Sequence, residues 1–415
     1  MPSRRGGAAA LAALMLAFGA GAAHAATDPQ DFAQIERGRY LAIVGDCAAC
    51  HTDAGGPAYA GGRPIETPFG MVVAPNITPD AATGIGAWSD DAFVSAVKDG
   101  IGRDGTHLYP AMPYPYFTRA TRQDILDIRA FLNTVPAVRN AVRANQLPFP
   151  FDIRAGMIAW NALFFRRGTF APDPGKSAEW NRGAYLAEGL MHCGACHTPK
   201  NLAGGDKASE AGQGYALQGW FAPDITNAAG RGLGAWSVED IVAYLKTGHN
   251  RTAAATGPMA DEVADSSSKM TDADLHAVAV YLKDQPAPHE ATPQPLAASD
   301  PAMTAGAAVY RDECSACHAP QGTGIAGLFP GLAGAPAVQS RDPTSLLRVV
   351  LAGARSAATD AVPTAPAMPA FGWLLDDREI AAVLTYVRNS WGNAAAAVSP
   401  GEVAKRRSAV AERVE

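Results

Sequence analysis

The sequence predicts a mainly α protein of three tandem units, each a few short helices joined by long loops. Three observations carry this expectation. All six cysteines fall into three copies of one motif: Cys47-Ala48-Ala49-Cys50-His51, Cys193-Gly194-Ala195-Cys196-His197 and Cys314-Ser315-Ala316-Cys317-His318. Three segments with one apolar spacing, 121–132, 271–282 and 376–387, align without gaps. Gly (42) and Pro (31) make up about 18% of the 415 residues, against a typical 12% or so, which favours turn-rich connections.

Composition narrows the class. Apolar residues reach 48%, enough for packed cores and too many for a disordered chain. A net charge of −6 argues against a nucleic-acid partner. Six cysteines are too few for a disulfide scaffold of this length. The longest later apolar run, Met157 to Phe165, is short of a membrane span and contains Asn161.

Residues 1–25 read as a secretory signal peptide. Arg4 and Arg5 form the positive start, residues 8–20 the apolar stretch, and Ala23-His24-Ala25 the cleavage site. An uncleaved anchor is the alternative, but the run is short and rich in Ala and Gly. Cleavage removes both arginines and leaves a chain of net charge −8 in the periplasm. The expected organisation is then unit one at 26–145, an aromatic and Pro-rich linker at 146–178, and unit two at 179–285. A second linker at 286–301, unit three at 302–395 and a charged, solvated tail at 396–415 follow. The first linker packs between units, or else offers a docking surface.

C-x-x-C-H is the attachment motif of a c-type haem. Two thiols one helical turn apart add across the two vinyl groups of a porphyrin, and the adjacent His becomes the proximal iron ligand. A thioredoxin-like pair does not need the His, and a zinc site needs four ligands from nearby segments. Three copies with no cysteine left over favour three covalently bound haems c. Cys47, Cys50, Cys193, Cys196, Cys314 and Cys317 would form the thioethers, with His51, His197 and His318 on the irons.

Around the motifs the text repeats. Gly38-Arg39-Tyr40, Gly183-Ala184-Tyr185, and Gly306 with Tyr310 precede them. Ala74-Pro75-Asn76-Ile77-Thr78 and Ala222-Pro223-Asp224-Ile225-Thr226 follow the first two. Each of these leads to a Gly-x-Gly-Ala-Trp-Ser block ending at Ser89 or Ser237. Ser237 opens a capping signature, as do Thr121, Thr271 and Asp376, each with Asp or Glu three residues on. The carbonyls of Pro75, Pro223 and Pro330 are candidates to hold the proximal His rings. Trp88 and Trp236 either pack as core or donate to a haem propionate.

The second axial ligand decides the chemistry, since Met closes the iron for electron transfer and an open face permits ligand chemistry. Each unit has one Met in a Pro-flanked loop: Met112, Met259 and Met368, lying 61, 62 and 50 residues after its His. Met270 competes with Met259. His107, His192 and His249 fit loop or surface roles better.

The three motifs, the PNIT and GIGAWS blocks, and the Tyr109-Pro110-Ala111-Met112-Pro113-Tyr114 loop carry a resemblance. The chain resembles the triheme cytochrome c subunit of membrane-bound bacterial alcohol, gluconate, sorbitol, fructose, glucose and aldehyde dehydrogenases. The resemblance implies three class I-like cytochrome c domains with His51/Met112, His197/Met259 and His318/Met368 as axial pairs. It further implies a catalytic partner, FAD- or PQQ-dependent, with a small third subunit as a further candidate partner. Electrons would pass to ubiquinone, with peripheral contact at the outer face of the cytoplasmic membrane. The third unit lacks the GAWS block and instead resembles small soluble cytochromes c. Two other readings are a multihaem peroxidase, which carbon monoxide binding to the reduced protein would reveal, and a free periplasmic electron shuttle.

Overall fold

The computed structural model describes residues 31–288 and 293–411. The proposed signal segment lies outside these residues, as do 289–292 of the second linker and 412–415 of the tail. The first unit runs α1 (Phe32–Val44), the motif helix α2 (Cys47–His51), a hairpin β1 (Pro64–Thr67) and β2 (Gly70–Val73), α3 (Asp90–Asp99), α4 (Tyr114–Phe117) and α5 (Arg122–Leu132). A lone helix α6 (Gly156–Phe164) leads to the second unit. That unit has α7 (Ala178–Tyr185), α8 (Cys193–His197), hairpin β3 (Tyr215–Leu217) and β4 (Trp220–Ala222), α9 (Val238–Thr247), α10 (Pro258–Asp265) and α11 (Asp272–Lys283). The third has α12 (Pro301–Val309), α13 (Ser315–His318), α14 (Thr344–Ala352), the short pair β5 (Ala354–Arg355) and β6 (Ala367–Met368), α15 (Asp377–Arg388) and a last helix α16 (Pro400–Ala411). The architecture is mainly α, as expected; the three hairpins are too short to show as alternation in the sequence.

Local chemistry sets the helix ends. The Ser89 hydroxyl accepts from the Ala92 amide, and Ser237 forms a full capping box with Asp240. Gly100 and Gly248 end α3 and α9 in the left-handed conformation, where a side chain is disfavoured. Thr121 and Thr271 accept from the amides of Asp124 and Asp274, starting α5 and α11. Only Asp376 of the closing helices completes the box, its own amide reaching Glu379.

In every unit the first helix crosses the closing helix at a glycine. A methyl group at Gly183 would lie 2.9 Å from Tyr281 Cβ, and one at Gly306 would lie 2.6 Å from Tyr386 Cβ. At Gly38 it would fall on the backbone of Asp127 and Ile128. Only a missing Cβ lets the two backbones approach this closely.

The first two units share one continuous core, from Leu41, Val44, Ile125 and Leu132 of unit one to Leu186, Leu190, Leu275 and Val278 of unit two. Two matched polar contacts seal it. Tyr40 donates to Asp274 at 2.6 Å, and Tyr185 donates to Asp124. Each aspartate is also held by an arginine of its own unit, Arg37 on Asp124 and Arg182 on Asp274. The third unit has its own core clusters around Leu347, Ile380 and Leu384, and around Tyr310, Val383 and Val387. It meets the second unit through Ser345 on the Phe221 backbone, Ala357 on Ala255, and the His249 ring on the Ser356 hydroxyl at 2.9 Å.

The tail departs from the solvated segment expected of it. Residues 400–411 form α16, whose Val403 is fully buried in the cluster with Leu347 and Leu384. Arg407 donates to the Leu375 carbonyl at 2.9 Å and pairs with Asp377 at 2.8 Å. Upstream, the buried Arg388 guanidinium spends its donors on the carbonyls of Ala396, Val338 and Ser340. One tail arginine, Arg407, is thus bound to carbonyls and a carboxylate, while Glu402 and Lys405 stay exposed as composition suggests.

Candidate haem sites

The first two motifs each occupy a single helical turn with the His at its end, while in the third Cys314 closes a π-helical turn and Ser315–His318 form the helix. The residue ahead of the first Cys is left-handed in two units, Asp46 at φ 50° and His192 at φ 38°. This breaks the chain between the preceding helix and the motif helix. In the third unit a π-helical turn, Tyr310–Cys314, joins the two helices without a break.

All three histidines make the same contact. The Nδ1 of His51 lies 2.7 Å from the Pro75 carbonyl, that of His197 2.7 Å from Pro223, and that of His318 3.1 Å from Pro330. A carbonyl only accepts, so Nδ1 carries the proton and Nε2 keeps its lone pair for a metal. Burial holds all three rings below the usual pKa, which keeps them neutral as ligation requires.

The repeated block after the motif explains how the carbonyl is held. The Asn76 side chain accepts from the Thr78 amide at 2.9 Å and donates to the Val138 carbonyl at 2.7 Å. Asp224 does the same work in unit two, accepting from the Thr226 amide at 2.8 Å and from Arg231 at 3.1 Å. The Pro-Asx-x-Thr turn thus locks the loop that faces the ring. The third unit reaches the same contact from Pro330 without the block.

The cysteines form no disulfide. Burial pushes the Cys47 and Cys193 thiols up to about 12, the reverse of the lowered thiol that a redox pair needs. Among the described residues, no group of three His, Cys, Asp or Glu side chains is placed to hold a metal ion.

The predicted methionines are placed differently from one another. Met112 lies in the turn before α4 and packs on the core that Cys47 also touches. Met259 packs on the same core, as Cys193 does, but it sits in the first turn of α10 and not in an open loop as expected. Pro258 at the first helical position explains the change, since its fixed φ starts a helix there. Met270, its competitor, is fully buried as core. Met368 is paired on β6 opposite Ala354 and packs on the Leu347 cluster, while Cys314 packs on the neighbouring Tyr310 cluster.

Trp236 gives a direct sign of a missing acceptor. Its ring is 8% exposed, and its buried indole N–H finds no partner among the described residues. A buried N–H is rarely left unpaired, and a haem propionate is an acceptor of the right kind. Trp88 is only half-buried. The remaining histidines are engaged elsewhere. His107 Nδ1 meets Asn161 at 3.0 Å, His192 stacks edgewise on Phe117, and His249 bonds to Ser356. The residues present therefore fit three covalent haems.

Comparison with known proteins agrees with this geometry. A sequence model of the cytochrome c family matches residues 35–136, 181–286 and 303–391. The chain is 40% identical over 407 residues to the cytochrome c subunit of a quinone alcohol dehydrogenase from Gluconacetobacter polyoxogenes, covering 94% of this chain and 87% of that one. It is 39% identical over 409 residues to the gluconate 2-dehydrogenase cytochrome c subunit of Pantoea cypripedii, covering 92% and 91%. A diheme cytochrome c-type protein of Cereibacter sphaeroides is 36% identical over 277 residues, 63% of this chain and 90% of its own.

Proposed function

The chain belongs to the cytochrome c family and carries three haems c, and on that premise we propose that it is the electron-transfer subunit of a periplasmic sugar or alcohol dehydrogenase. The observation that supports the reading is the threefold histidine contact, which engages Nδ1 and leaves one imidazole nitrogen per unit free to ligate an iron. His51 with Met112, His197 with Met259 and His318 with Met368 would hold the three haem irons. When bound, such haems supply one-electron transfer between partners that exchange electrons in pairs. This chain's residues hold the rings neutral, seal the first two units together and keep the third against the second.

In this reading the electrons come from a FAD- or PQQ-dependent catalytic subunit, with a small third subunit as a further member. They leave to ubiquinone at the outer face of the cytoplasmic membrane. In this reading the contact with the membrane is peripheral; among the described residues no helix is long and apolar enough to cross one. The test is to purify the tagged protein from native membranes and add gluconate, glucose or ethanol. Co-purification of a dehydrogenase subunit and substrate-driven reduction of the haem spectrum support the proposal. A lone protein that none of these substrates reduces overturns it.

A further inference from the structure

Eleven large apolar side chains stand exposed among the described residues, and six of them gather on one face: Phe149, Phe151, Ile153, Ile158, Leu163 and Leu202. The face is assembled from separate stretches of chain. The Phe151 ring lies 4.8 Å from Phe69, the Trp160 indole donates to the Ala203 carbonyl at 2.9 Å, and Phe164 covers Gly205. Asn161 fastens α6 from beneath, accepting from the Tyr114 hydroxyl at 2.6 Å.

The helix so fastened is apolar all round and still unburied. None of its residues is buried, and the side held to the protein carries Trp160, Asn161 and Phe164. The outward side presents Ile158, Ala159, Ala162 and Leu163 to solvent. A surface helix normally turns its apolar face inward. Leu202 and Phe149 project furthest, at 102% and 77% exposure. Projecting single side chains suit insertion into a deformable medium; a rigid protein partner would need a matching pocket for each.

Charge points the same way. Between residues 139 and 167 there are five arginines and one aspartate, in a chain of net charge −6. Arg139, Arg143 and Arg166 are exposed, Arg154 lies over the Tyr109 ring, and Arg167 pairs with Asp99. Apolar side chains in a stretch rich in arginine and poor in acid are the composition of a helix that lies in the interface of an anionic bilayer.

We propose that this face, residues 149–166 with Leu202, seats the protein on an anionic lipid surface. The proposal rests on the reading that the protein works at a membrane, and it names the part that touches it. It also places the Met112 loop beside the lipid. The Tyr109 hydroxyl donates to the Phe151 carbonyl at 2.8 Å, and Arg154 donates to the His107 carbonyl at 3.0 Å.

The test is co-sedimentation of the full haem-loaded protein with phosphatidylcholine vesicles, with and without phosphatidylglycerol. Binding is expected with the anionic vesicles and is expected to weaken with salt. Ile158→Glu with Leu163→Glu should lower partitioning by about tenfold or more, because two inserted apolar side chains become charges. Leu202→Glu, in a separate loop, should lower it severalfold. Trp373→Glu, at an exposed site elsewhere, should leave it unchanged. An unchanged haem spectrum and helix content confirm that each variant folds. Failure of the wild type to bind anionic vesicles overturns the proposal, as does equal binding by the double variant. So does a double variant that keeps its vesicle binding but loses a dehydrogenase subunit, which would make the face a protein interface. Vesicle binding is scored without substrate or dehydrogenase, so its failure is separate from failure of the electron relay.

Discussion

Gly306→Ala tests the helix crossing that recurs in every unit. The new methyl would lie 2.6 Å from Tyr386 Cβ and 2.7 Å from the Ala382 carbonyl carbon, and closer still to its oxygen. Unstrained carbon contacts lie near 3.5–4.0 Å, so α12 and α15 must part by about 1 Å. No rotamer change relieves the clash, because the obstacle is backbone. Parting the helices loosens Ile380, Val383 and Leu384, each less than 5% exposed. Overpacking of this kind costs about 1–3 kcal/mol, and the higher helix propensity of Ala returns up to about 1. The backbone obstacle puts the cost at the upper end, so the net loss should be about 2 kcal/mol. The assay is guanidinium unfolding of the haem-loaded protein, followed by helix content and haem absorbance. Gly401→Ala is the reference, since a methyl group there meets nothing within 4 Å. A Gly306→Ala midpoint equal to or above that of Gly401→Ala would refute the close-approach argument.

Three further outcomes follow from the geometry. In a double-mutant cycle, Tyr185→Phe and Asp124→Asn should couple by about 1 kcal/mol or more in unfolding, as expected for a hydrogen bond to a charged group; additive effects would show that the contact contributes nothing. Met259→Ala should alter the haem spectrum with little loss of stability. Met270→Ala should instead cost about 2–5 kcal/mol with an unchanged spectrum, and the reverse pattern would exchange the two roles. Burial pushes the Glu262 carboxyl up to about 7 from an ordinary 4.5. The folded state then binds a proton that the unfolded chain has released, so this group's contribution is full below about pH 4.5 and is lost as pH rises to about 7. Glu262→Gln should flatten that slope and raise stability at pH 8 by about 1–2 kcal/mol, a value discounted for the side chain's residual solvent contact. An unchanged pH profile would show that Glu262 titrates normally.

What could be read in the sequence was whatever depends on near neighbours. The motif spacing, the serine and threonine caps and the apolar stripe of each closing helix are set within a turn or two of chain. The Pro-Asx-x-Thr block was visible as a repeat, and its proline carbonyls do face the histidines. What escaped depends on residues far apart in sequence. Asp124 and Asp274 look like capping acids, three residues after their threonines. In the fold they turn to Arg37 and Tyr185, and to Arg182 and Tyr40, and of the three closing helices only α15 has its box closed, by Glu379. Nothing local separates these cases, although the third unit lacks a tyrosine two residues after its glycine. The tail misled for a similar reason, because Val403 and Arg407 find their partners, a buried cluster and the carbonyls of Gly372 and Leu375, in segments distant along the chain. α6 reads as an ordinary apolar helix, and only its placement shows that one of its apolar sides stays in solvent.

The matched contacts between the first two units carry a consequence for how this protein is divided. Tyrosine of one meets aspartate of the other, and the same pair is repeated in reverse. A twofold dimer of identical chains imposes that pattern on its interface, because every contact must occur twice. Here the two partners are fused in tandem, with a shared interior that neither half could close alone. The linker between them therefore tethers halves that already hold each other, and a break within it should leave them associated. The third unit, with its own interior, is the separable appendage: a monomer bound to the side of a covalent dimer.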